Sequence, residues 1–111
     1  DTENAILISI HQNFFADSRY SGAQVFYNEI PRAKDIALSM QDSLVKSLNP
    51  GSNRHSKPSS GVYLMEHIKY PGLLVECGFL SDPEGEAKLR SEEYQKKLCC
   101  VIASNLAEAI N

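Results

Sequence analysis

Two short apolar runs, Ala5 to Ile10 and Leu73 to Val75, each stop on one ionisable side chain, His11 and Glu76. The near-continuous run Ala5 to Ile10 reads as a strand buried on both faces, and Leu73 to Val75 as a further short strand. Ala23-Gln24-Val25-Phe26-Tyr27 carries β-branched and aromatic residues and predicts another strand. Val62-Tyr63-Leu64-Met65 predicts one more, and the Pro71-Gly72 turn leads into the Leu73 run. Ala33, Ile36, Ala37, Met40, Leu44 and Leu48 instead recur at helical spacing and form one apolar stripe. Pro31 suits the first turn of that helix, and Asp35, Gln41, Asp42 and Lys46 fall largely elsewhere on the wheel. Asn49-Pro50-Gly51 stops it. Ser81-Asp82-Pro83-Glu84 carries a helix start, with Ser81 or Asp82 as cap. Ser91 begins a last helix whose face holds Tyr94, Leu98, Val101, Ile102, Leu106 and Ala109. The polar stretches Phe14 to Ser21 and Gly51 to Ser60 read as loops, the second long enough to invite a functional role.

Strands and helices in this order predict an α/β domain. A chain of 111 residues is one domain or part of one, with enough length for a real core. The net charge of -3 excludes a nucleic-acid binder, whose phosphate partner demands a basic footprint. No apolar run is long enough to span a bilayer. The chain begins at Asp1 with no visible leader, which says little about compartment because leaders are removed. Cys77, Cys99 and Cys100 are an odd number and read as free thiols, so the redox compartment stays open.

In an open α/β sheet, ligands gather beyond the carboxyl ends of the strands. Two adjacent strands ending in His11 and Glu76 would place an imidazole and a carboxylate at one rim. That pair suits metal-assisted hydrolysis, with one metal ligand and one proton-transfer group. A histidine ending a strand is often only hydrogen-bonded. A carboxylate directly after Leu-Leu-Val must reach solvent or find a cation or donor, because unpaired burial is costly. Cys77 should point to the opposite side of its strand. His55 and His67 read as surface residues, and Cys99 and Cys100 as helix filler. Arg54 and Lys57 are loop charges, or else they meet carboxylates, for which the guanidinium fork is well shaped.

Ser9-Ile10-His11-Gln12-Asn13 resembles the S-x-H-x-N signature of the zinc-dependent N-acetylmuramoyl-L-alanine amidases of the type 3 family. Ser21-Gly22-Ala23-Gln24-Val25-Phe26-Tyr27 resembles that family's Gly-x-x-x-Phe-Tyr strand, and Asn53-Arg54 with Lys57 its basic loop. Pro71 to Ser81 (P-G-L-L-V-E-C-G-F-L-S) is similar to its Pro-x-x-Leu-x-Glu-x-Gly-Phe-x-Ser block. These elements fall in the family's order and cover nearly the whole chain, and their wording is most similar to the spore-cortex, germination-specific members.

The resemblance implies a zinc ligand in His11, the catalytic carboxylate in Glu76, and substrate-binding roles for Arg54 and Lys57. Asn13 would orient His11 or the loop. It further implies hydrolysis of the amide between the muramic acid lactyl group and L-alanine of peptidoglycan, by a protein exported to a bacterial cell wall or spore cortex. The family's first His, in Gly-His-Gly-Gly, and its Glu ligand lie upstream of the region matched here. The expectation is therefore that residues 1–111 are the C-terminal part of one amidase catalytic domain, a partial mixed sheet flanked by helices. Asp82 stands where the family usually has Asn, and either residue caps a helix. Rival expectations are a catalytically inert fragment that dimerises through a bared sheet edge or needs a partner protein, and a peptidoglycan-binding module without chemistry.

Overall fold

The computed structural model describes residues 5–13, 23–48, 50–52, 54–59, 63–79, 87 and 91–110. Its elements run β1 (Leu7–Asn13), β2 (Gln24–Tyr27), α1 (Ala33–Leu48), β3 (Lys57–Pro58), α2 (Tyr63–His67), β4 (Gly72–Phe79) and α3 (Glu92–Ile110). The strands form one mixed sheet in the order β1-β4-β2-β3. β1 runs parallel to β4, β2 antiparallel to β4, and β3 parallel to β2. Four strands with helices packed against them make the α/β architecture that the pattern predicts.

β4 is flanked on both sides because its Leu-Leu-Val run tolerates burial on both faces. Leu73, Val75 and Cys77 point to one face and meet Val25 of β2 and Ile36, Ala37, Met40 and Leu44 of α1, with Leu98 and Ile102 of α3 in the same cluster. Leu73, Val75 and Val25 are fully buried, which stabilises the fold by about 1.5–3 kcal/mol for each such side chain. Every stripe residue assigned to α1 from spacing is buried. Gln41, expected on the polar side, is buried as well. Its Oε1 accepts from Val25 N at 2.7 Å and its Nε2 donates to Ala23 O at 3.0 Å, so its amide serves the edge of β2 where β3 does not reach.

Two strand expectations change. β1 is not buried on both faces: Ile10 is 55% exposed and residues 5–9 are only half-buried, because among the described strands β4 alone pairs with it. Tyr63 to His67 is a short helix, not a strand. A four-residue apolar run carries too little period to separate the two, and Met65 and Ile68 are inward at a spacing of one turn while Glu66 and His67 are exposed. The long polar loop holds β3, whose pairing to β2 is extended by Ser59 N and Oγ, both donating to Tyr27 O. The expected loop Phe14 to Ser21, the stop at Asn49 and the helix start at Ser81 to Glu84 lie outside the described residues.

Helix ends follow from local chemistry. Ser91 caps α3, with its Oγ accepting from Tyr94 N at 3.3 Å. Gly51 turns with φ 87° just after α1, a conformation that costs glycine little. Arg32 adopts φ 80° before α1, and its guanidinium donates to Ala109 O near the end of α3, which has no basic residue in its own last turn. Among the described residues no helix is long and apolar enough to cross a membrane.

Candidate active site

The register of β1 on β4 decides the site. His11 is the direct partner of Glu76, and on β4's other side Gln24 is the partner of Glu76. Paired residues share a face of the sheet, so His11, Glu76 and Gln24 form one row, on the face opposite the Leu73-Val75-Cys77 core. The row lies toward the carboxyl ends of the parallel strands β1 and β4, where α/β sheets collect ligands. Both side chains lie within their strands: β4 continues to Phe79, and β1 to Asn13 past a register shift that follows His11.

The members of the row differ in environment. His11 is exposed, whereas Glu76 is 6% exposed and Gln24 3%. Ser9, two residues before His11 and on the same face, brings its Oγ within 2.8 Å of His11 Nε2. That contact orients the ring, and if Nε2 carries the proton, Nδ1 is left as the donor for a metal. Glu76 is close enough to the underside of the sheet to act on Cys77. Burial, then the charge of Glu76, then that of Cys99 push the Cys77 thiol from the ordinary 9.0 up to about 11. A thiol held protonated this way, on the core face, is no nucleophile.

Arg54 is half-buried, and its guanidinium donates to Gln24 Oε1. Lys57 is exposed on β3 in register with Phe26, itself the partner of Leu74, so it stands in the next row down the same face. The backbone of Asn13 pairs with Phe79, while its side chain, on which its proposed role depends, lies outside what the structure describes. His55 and His67 are exposed, and all three cysteines are free thiols. The structure thus brings His11, Glu76 and, through Gln24, Arg54 to one place. Ser9 and Gln24 gained no role from the sequence. Strand alternation could have found Ser9, which lies two residues from His11, but nothing in the sequence gives the register that sets Gln24 beside Glu76.

A catalytic zinc takes three protein ligands and keeps one position open. Among the described residues no group of three or more His, Cys, Asp or Glu is placed to hold a metal ion. The donors present fit one share of such a centre, a single imidazole beside a carboxylate, and not a whole one.

A family model described as N-acetylmuramoyl-L-alanine amidase matches residues 1–111. The chain is 36% identical over 102 residues to the germination-specific N-acetylmuramoyl-L-alanine amidase of Bacillus subtilis (strain 168), covering 91% of this chain and 43% of that protein. It superposes with a TM-score of 0.87 and 33% identity on the CwlD amidase from Clostridioides difficile in complex with the GerS lipoprotein, covering 94% of this chain and 53% of that one. The amidase AmiC2 of Nostoc punctiforme shares the fold, with a TM-score of 0.81 at 23% identity over 93% of this chain and 56% of that one. The chain spans about half the length of the relatives it matches.

Proposed function

This chain belongs to the N-acetylmuramoyl-L-alanine amidase family, and we propose that it is the C-terminal part of a zinc amidase domain that cuts peptidoglycan. The bond hydrolysed joins the lactyl group of muramic acid to L-alanine of the stem peptide. The observation that carries this reading is the pairing of His11 with Glu76 on one sheet face. The names of the relatives support the substrate, and the germination-specific one supports the spore cortex as the place of action.

His11, its ring steadied by Ser9, is one zinc ligand, and upstream residues of the complete domain supply the others. Zinc held there would supply Lewis acidity at the scissile amide and to the attacking water. Glu76, buried beside His11, accepts the proton of the attacking water and returns it to the leaving amine. Arg54 and Lys57, on the β2 side of Glu76, meet carboxylates of the stem peptide, and Asn13 steadies the His11 end. Such a substrate requires export to the cell wall or cortex. The lipoprotein bound to the CwlD relative supports a protein partner for this one.

Substitution Glu76→Gln in the complete domain tests the assignment. Stem-peptide release should fall by about 10²–10⁴-fold, the scale of a lost general acid–base, while stoichiometric zinc remains bound. Release at the wild-type rate would remove Glu76 from the chemistry.

A further inference from the structure

Gln24 is the one member of the row to which neither sequence nor family reading gave work. It is 3% exposed, and both ends of its amide are committed: Oε1 accepts from the Arg54 guanidinium, and Nε2 donates to His55 O at 2.8 Å. A buried amide bonded at both ends has one orientation, so it ties the 54–56 loop to the sheet. The backbone on either side of it is fixed in turn by Gln41, which binds Ala23 O and Val25 N. A continuous path of hydrogen bonds therefore runs from α1 through β2 to the loop, and it ends on a guanidinium one side chain away from Glu76.

A buried glutamine that only satisfied the fold could bond to backbone alone. This one gives its acceptor to the Arg54 guanidinium instead. We propose that Gln24 is a positioning residue that fixes the Arg54 guanidinium at the flank of Glu76 opposite His11, where it receives a carboxylate of the substrate. The proposal deepens the substrate-binding reading of Arg54 given above and rests on it. The charge comes from Arg54, and the direction in which it points comes from Gln24.

The test compares KM and kcat of the complete domain on two muropeptides, one with free stem-peptide carboxylates and one with those groups amidated. Gln24→Met keeps the side-chain volume and removes both hydrogen bonds. It should raise KM about tenfold on the acidic substrate, the size of one charge-assisted hydrogen bond, and leave kcat within about twofold. The rise should shrink to less than about twofold on the amidated substrate. Gln24→Glu restores the acceptor for Arg54 and should recover most of the loss, which a folding defect would not allow. Arg54→Ala should raise KM like Gln24→Met, and the double variant should be no worse than Arg54→Ala, as expected for two residues acting as a unit. An Arg54→Ala effect without a Gln24→Met effect, additive losses, or an equal kcat loss on both substrates would overturn the role of Gln24. An unchanged KM in Arg54→Ala would overturn the reading of Arg54 instead.

Discussion

The alternation of β4 assigns Glu76 and Cys77 to opposite environments although they are sequence neighbours. Glu76 faces the row with His11 and Gln24, whereas Cys77 is 2% exposed within the core beneath α1 and α3. Near neutral pH an alkylating reagent should modify Cys99 and Cys100, both exposed, and reach Cys77 only on unfolding. Prompt labelling of all three would contradict the packing. The raised pKa also has a sign. The unfolded chain releases the Cys77 proton near 9.0 while the folded chain holds it up to about 11, so this group's contribution is intact below 9.0 and is lost as pH rises toward 11. Denaturant midpoints should fall across that window more steeply in the wild type than in Cys77→Ala. That His11 and Glu76 were candidates was legible here, because each is an ionisable residue set in an apolar run, and the structure pairs them. The contacts of Ser9 and Gln24 were not, because a polar residue in a strand gains meaning only from what stands beside it.

The elements follow local signals wherever those signals are long. α1 is helical over the stretch its spacing predicts, with Ala33, Met40 and Leu44 fully inward, and α3 starts after the Ser91 cap. The signal fails in the short apolar run at Tyr63 to Met65, where helix and strand look alike from sequence. Its position is set instead by Asn28, between β2 and α1. Asn28 Nδ2 donates to Met65 O at 3.3 Å and Tyr70 O at 3.0 Å, and its Oδ1 accepts from Gly72 N at 3.1 Å. One side chain thereby joins α2, the turn before β4 and the first residue of β4. Gly72 lies close under the same side chains: a Cβ would stand 2.9 Å from Ile68 Cδ1 and 3.0 Å from Asn28 Nδ2, so those side-chain ends would have to shift to admit one. Asn28→Ala strands several buried partners at once and should destabilise the protein by about 2–4 kcal/mol, read from chemical denaturation. A loss under about 0.5 kcal/mol, the range of an ordinary surface substitution, would show that the node is not needed.

At the scale of the molecule, the sheet order brings β1 and β4 together although they lie far apart in the chain. The parallel pairing of β1 with β4 joins two segments separated by two helices and two strands. The α/β class was readable from alternating elements, but the apolar run Ala5 to Ile10 overstated the burial of β1, whose Ile10 is 55% exposed. The sequence did not show which strands neighbour one another, or that β1 would stand with one edge unpaired among the described strands. Strand order depends on contacts far apart in the chain, which local patterns do not encode. The entire site depends on register as well, because a slip of one residue sends every side chain of a strand to the opposite face. Cross-strand amide-to-α-proton contacts between β1 and β4, measured by nuclear Overhauser spectroscopy, test this most directly. Contacts that align Ile10 with Val75 and His11 with Glu76 are expected. Contacts that align His11 with Val75 or Cys77 would place imidazole and carboxylate on opposite faces and contradict that register.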